Sequence, residues 1–326
     1  MKKHFLLILA GALSLAVVTT SAQTLTKASA GKIIDMTNGV VDIYNDQLSE
    51  IKDVRECLER FENTMSNVAA NPNASAHGAA CNNIRALRSD LVEKMKASAK
   101  LAPAFPEKAG ILEGVDKINA EFETAKVRCL NVQAYFKDKK YQTDDNDFAG
   151  YVALRDTFIA SYDNINKLFD KTMDLSSAAG DRAELVILKT HPLALVVIPM
   201  KKNLSAVSQL MSKCREDNPD MTAIKADMAA IRKSLEKDKV ATVAMKTALK
   251  KSHNGETRFE RFYEYAADAV NQADKFVEFL DPAKEITDVD HVLKETPEDA
   301  RNRHLKKWYG EISNYYRYMV DEYNSL

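Results

Sequence analysis

Apolar residues recur every three or four positions through most of the chain beyond residue 40. The first stripe is Val41, Tyr44, Leu48, Ile51, Val54, Leu58, Phe61, Met65 and Val68, the spacing of one helix face. It ends at Asn71-Pro72-Asn73, because proline cannot continue a helix and biases the residue before it toward extended angles. A second stripe, Cys81, Ile84, Leu87, Leu91 and Met95, predicts a helix running to the Pro103–Pro106 break. Phe105, Leu112, Val115, Ile118, Phe122, Ala125, Cys129, Val132 and Phe136 predict a third.

The acidic turn 143–147 offers caps for a fourth helix, whose stripe is Phe148, Tyr151, Leu154, Phe158, Tyr162, Ile165, Phe169 and Met173. Leu185 to Met200 then forms the most apolar stretch after the N-terminal leader. Its β-branched Val196, Val197 and Ile198 favour a strand locally, but no second strand-like segment exists to pair it. The expectation is therefore a buried hub, helical and kinked near Pro192 and Pro199, continuing through Leu204, Val207, Met211 and Cys214. Asn218-Pro219 reads as a cap and first helical residue. The helix it opens should run past Leu235 to a lysine-rich end before Asn254-Gly255. Phe259 to Leu280 predicts another helix, and Thr296-Pro297-Glu298-Asp299 opens the last one, with Leu305, Trp308, Ile312, Tyr315, Met319 and Tyr323 inward. The fold class is all-α: an antiparallel bundle of long amphipathic helices around a Pro-kinked central helix.

Ala134-Tyr135-Phe136-Lys137-Asp138-Lys139-Lys140-Tyr141, leading into Asp144, Asp145, Asp147 and Phe148, resembles the YiiG-like family of uncharacterised helical bacterial envelope proteins. Tyr162, Phe169 and the apolar run through Leu204 extend the likeness, which is strongest over residues 131–210 and weaker at Ile43-Tyr44-Asn45. The resemblance implies an exported, all-helical fold without an established activity. Many members look like lipoproteins, whereas no cysteine precedes Cys57 here to accept a lipid.

Lys2 and Lys3 followed by the apolar run Phe5–Val18 and small residues at Thr20 and Ala22 read as a signal peptide, residues 1–22, cleaved after Ala22. Ala28-Ser29-Ala30 also fits the small-residue rule but lies far from the run. As a retained anchor the run is short of the ~20 residues a bilayer needs, so no stable membrane anchor is expected. Residues 23–326 should form a single elongated helical domain; if it divides, two helical lobes would meet near 181–216. Losing Lys2 and Lys3 takes 46 basic residues to 44 against 47 acidic ones, a formal charge of −3. That balance argues against a nucleic-acid partner.

Four cysteines in an exported chain allow three connectivities. Taking the turn between the second and third helices at Ala104, Cys81 lies 23 residues before it and Cys129 lies 25 after it. In an antiparallel hairpin rising about 1.5 Å per residue they share a level to within roughly 3 Å. Cys57 and Cys81 are 16 and 8 residues from the turn at Asn73, a mismatch of about 12 Å. Each cysteine also falls on or beside an apolar stripe, so four small buried hydrophobes are the alternative; if a bridge forms, Cys81–Cys129 is the expected one, with Cys57 and Cys214 free or joined to each other.

Candidate chemistry is sparse. Asp145, Asp147, Gly150 and Asp156 match parts of a calcium-loop spacing, but the fifth position is Ala149; a solvated acidic helix start explains the same residues. His291 and Glu295, with Asp288 and Asp290, could share one face of a surface helix, although no second histidine clusters there and paired surface charges are the plainer account. His191 sits inside the apolar run without a nucleophile motif and reads best as a core histidine. Tyr309, Tyr316 and Tyr318 lie off the last helix's inward stripe and form a candidate binding surface, or else pack on a neighbouring helix. No catalytic, cofactor-binding or metal residue is assigned. The resulting expectation is a periplasmic, soluble, non-enzymatic binding or scaffolding protein whose partner is an envelope protein or cell-wall component. The alternative is an envelope hydrolase with a site near His191 or His291.

Overall fold

A computed structural model describes residues 25–71, 81–144, 148–216, 218–289 and 295–326, and among these it holds nine α-helices and no strand. The leader, Asp145, Asp147, Asp290 and His291 lie outside the described residues. Thr26 opens the first helix, its hydroxyl accepting from the Ser29 N–H at 3.1 Å, and α1 runs from Lys27 to Ala70. From Val54 onward the buried face of α1 is the expected one, with Phe61, Met65 and Val68 inward, but before Val54 it lies one position off the expected stripe. Val40, Ile43, Gln47, Glu50 and Val54 are buried, while Val41 and Leu48 are exposed. Hydropathy alone misplaced the face because two of its inward residues are polar.

Glu50 explains part of that shift. Its carboxylate accepts from the Arg85 N–H at 3.3 Å, and Asn119 Oδ1 accepts from the Leu87 N–H at 3.1 Å. These two side chains supply the partners that a helix would have supplied, so the stretch does not need to be helical. Cys81–Asn83 is one turn of 3-10 helix, residues 84–88 are non-helical, and α2 spans only Ser89–Leu101. The expected helix from Cys81 is therefore corrected: Ile84 and Leu87 are buried from an irregular segment.

Helix α3, Lys108–Lys137, and helix α4, Ala149–Leu188, pack antiparallel. Asp144 caps α4 from outside it, its Oδ2 accepting from the Gly150 N–H at 2.8 Å and from the Tyr135 hydroxyl at 3.0 Å. Gly150 and Asp156 thus sit on a helix, which removes the calcium-loop spacing. Cys81 and Cys129 are joined, with Cα atoms 5.7 Å apart, and Cys57 and Cys214 are free and buried.

The apolar run is not one kinked helix. α4 continues to Leu188, a turn occupies 189–193, and α5 begins at Ala194 and ends at Cys214 with Pro199 inside it. Leu188, Leu193, Val196, Val197 and Met200 are buried, but Leu195 is 63% exposed and the turn's Lys189, Thr190, His191 and Pro192 face outward. The hub is a corner. Buried residues fall into two clusters, one from Ala30 to Ala183 and one from Leu188 onward.

The second cluster is built by α5, α6 (Met221–Asp238), α7 (Val243–Leu249), α8 (Gly255–Leu280) and α9 (Pro297–Asn324). The cap of α6 is Asp220, whose carboxylate accepts from Thr222 and Ala223, rather than Asn218. The single helix expected up to Lys251 is interrupted at 239–242, where Thr242 caps α7. Asn254, in the left-handed region at φ 56°, precedes α8. Thr296 and Asp299 form the reciprocal cap expected for α9. Of the α9 stripe, Ile312 and Met319 are fully buried, whereas Leu305, Trp308, Tyr315 and Tyr323 are half-buried.

Candidate binding surface

The three tyrosines singled out on α9 do not share one surface. Tyr309 and Tyr316 are seven residues apart and so share a face, while Tyr318 is turned well away from both. Burial raises the Tyr309 phenol against the pull of nearby Arg215, and burial followed by the Asp181 charge raises that of Tyr316. Both are half-buried against the α4–α5 pair. Tyr318, 40% exposed, lies 5.3 Å from the Tyr265 ring of α8, with the Arg317 guanidinium 5.5 Å from its own ring centre.

Behind Tyr309 and Tyr316 runs a polar ladder absent from the sequence expectations. α4 and α5 pack antiparallel, and their partners keep one register from end to end. Arg215 meets Asp170 at 2.7 Å and Asp174 at 2.9 Å; the Ser212 hydroxyl donates to Asp174 at 2.7 Å. The Ser205 hydroxyl donates to Asp181 at 2.5 Å, and Lys201 reaches Asp181 at 2.8 Å and Glu184 at 2.7 Å. Tyr323 of α9 closes the ladder by donating to Glu184 at 2.7 Å, and burial together with that bond raises its phenol. The carboxylates fall at spacings of four, seven and three on α4, opposite serines and cations of matching spacing on α5. That recurrence was visible in the sequence but reads as a solvated face when only apolar stripes are counted.

An open groove of ≈ 410 Å³ runs beside the ladder, lined by Lys167, Lys171, Asp170, Asp174, Arg215 and Glu107. Glu107 is bound at both oxygens by Arg182, whose guanidinium holds the carboxyl below its usual range despite partial burial. The serines and carboxylates of the ladder are therefore engaged with each other. Such an arrangement fastens helices together.

His191 is exposed on the corner turn, its Nδ1 accepting from the Leu193 N–H at 3.1 Å, which corrects the expectation of a core histidine. Asp288 and Glu295 flank residues outside the described set. Asp288 pairs with His304 at 2.7 Å and Glu295 with Arg303 at 2.9 Å, and the described residues on either side are non-helical. No group of three metal-ligating side chains occurs among the described residues, nor is any helix there long and apolar enough to cross a membrane. Comparison of the chain with protein-family models, curated proteins and solved structures gives no match.

Proposed function

We propose that the chain is an exported, non-enzymatic helical binding or scaffolding protein of the bacterial envelope, which presents its outer surface to an envelope protein or a cell-wall component. The observation that carries this reading is the Cys81–Cys129 bridge. Structural disulfides persist where the surroundings are oxidising, and this one fixes an irregular segment onto α3. The leader pattern and the YiiG-like resemblance point the same way. The polar groups of the α4–α5 seam are spent on holding helices together, which suits a scaffold better than a hydrolase.

Protein recovered from its native host tests the reading by intact mass and thiol count. A chain beginning at Gln23 with two free thiols after denaturation is expected. A full-length mass with four free thiols would remove the export half of the proposal. Hydrolysis of an ester or peptide panel that disappears in His191→Ala would remove the non-enzymatic half.

A further inference from the structure

The end of the second helical cluster gathers features that its internal packing leaves unused. Asn203 of α5 contacts Asp238 of α6 at 3.2 Å and Lys213 of α5 contacts Asp227 of α6 at 2.6 Å, so these helices run antiparallel. The 239–242 link and α7 therefore continue past the end of α6, toward the beginning of α5. The start of α8 and the end of α9 arrive at the same end. Arg258 meets Glu322 at 3.4 Å and the Ser252 hydroxyl donates to the Leu326 carbonyl at 3.3 Å. Tyr323 on Glu184 places the α4–α5 corner there too.

This end exposes large apolar side chains: Leu195 at 63%, Val240 at 65% and Val243 at 83%. It is also basic. Residues 237–253 hold five lysines against one carboxylate, Asp238, which is occupied by Asn203 and Ser234. Lys239 pairs with Glu236 at 2.6 Å, but Lys237, Lys246, Lys250 and Lys251 are exposed and have no ion pair among the described residues. Lys189 on the corner turn adds another exposed cation, against the exposed carboxylates Glu256 and Glu260 at the start of α8 and Asp321 near the end of α9. The chain as a whole is close to neutral, at −1, so this concentration is local.

The geometry points to peripheral docking of this end on an anionic lipid surface, with Leu195, Val240 and Val243 entering the headgroup region and Lys237, Lys246, Lys250 and Lys251 meeting lipid phosphates. Exposed apolar side chains beside flexible cations form the pattern that the interface accepts, because apolar burial and attraction to anionic headgroups act together there. A purely basic site for a soluble polyanion would give the three apolar residues no role. The inference goes beyond the scaffolding proposal and does not rest on export, since lipid binding is measured on the purified chain.

Flotation of residues 23–326, which contain both cores without the apolar leader, tests it. Vesicles of phosphatidylcholine alone are compared with vesicles containing a third phosphatidylglycerol. Binding is expected only to the anionic vesicles and should fall with salt. Lys246→Gln, Lys250→Gln and Lys251→Gln together should weaken it about a hundredfold, from a factor of about five per surface lysine. Leu195→Ser with Val240→Ser and Val243→Ser should weaken it at unchanged net charge. Lys137→Gln, Lys139→Gln and Lys140→Gln, exposed in the first cluster, should leave it intact. Each variant's helix content is checked by circular dichroism. Equal loss in both lysine triples, equal binding to neutral vesicles, or binding of soluble polyphosphate with none to vesicles would overturn the proposal.

Discussion

Two glycines inside helices should respond with opposite signs to the same substitution. A Cβ added at Gly114 of α3 would stand 2.2 Å from Thr172 Oγ1 and 3.1 Å from its Cγ2, whereas one added at Gly310 of α9 meets nothing within 4 Å. Replacing a mid-helix glycine by alanine stabilises the helix by about 1 kcal/mol. At Gly310 that gain stands alone. At Gly114 the obstacle is a buried, β-branched side chain on α4 whose hydroxyl donates to the Leu168 carbonyl at 2.7 Å, so turning it away sacrifices a bond. Overpacking costs about 1–3 kcal/mol and the lost bond about 1 kcal/mol more. Gly114→Ala should therefore destabilise by about 1–3 kcal/mol net, and the two variants should differ by about 2–4 kcal/mol. Urea unfolding followed at 222 nm measures both. Thr172→Ala removes the crowding atoms, so adding Gly114→Ala to it should cost markedly less than adding it to the parent. Equal stabilisation by the two glycine substitutions, or no coupling with Thr172, would refute the close approach of α3 to α4.

The cysteines give a second test. Burial raises both free thiols, that of Cys214 to about 12, so native protein at pH 8 should take up no alkylating reagent, denatured protein two equivalents and reduced protein four. Reduction should cost on the order of 4 kcal/mol for a bridge whose cysteines are 48 positions apart; a native thiol that reacts at once would contradict the burial. Lys201 gives a third: Lys201→Met leaves Asp181 and Glu184 with only the Ser205 and Tyr323 hydroxyls and should cost about 1–2 kcal/mol at pH 7. Burial pushes the Lys201 pKa down, but the two carboxylates outweigh it and the net shift is upward. Its contribution is thus complete below the unfolded value of about 10.4 and lost as pH rises through the folded value. The difference between parent and variant should shrink above pH 10; a difference that stays constant to pH 11 would contradict the pairing.

The helices best foreseen, α3, α8 and α9, each combine a single apolar stripe with clear end signals, as at Thr296 and Asp299. The misses share a cause. In the 81–88 segment, at Glu50 of α1 and at the 239–242 break, side-chain to backbone bonds decided the structure, and apolar periodicity does not encode them. The Cys81–Cys129 pairing came out although the element carrying Cys81 was wrong. A non-helical stretch advances up to about 3.3 Å per residue against about 1.5 Å in a helix. Counting residues along one helix therefore does not place Cys81; the irregular segment is held beside α3 by Asn119, whose Oδ1 accepts from the Leu87 N–H.

The corner at 189–193 shows why the most apolar stretch was misjudged as a single buried element. Leu185–Leu188 and Leu193–Met200 are apolar for a common reason, the need to close the region where α4 leaves one core and α5 enters another, but a backbone turning between them exposes His191 and Leu195. Beside these apolar residues the joint carries the polar ladder. Asp170, Asp174, Asp181 and Glu184 of α4 meet Arg215, Ser212, Ser205 and Lys201 of α5 across a seam that is only partly sealed from water. Exposed pairs of this kind are worth up to about 1 kcal/mol each, yet their constant register selects one alignment of α5 on α4. A slip by one helical turn would face Asp181 with Ser208 or Lys201 with Asp181 alone and leave Tyr323 without Glu184. The apolar clusters on either side provide the larger share of the stability. The polar ladder fixes how the second is set against the first, and through α9 it fixes which end of the second cluster carries Leu195, Val240 and Val243.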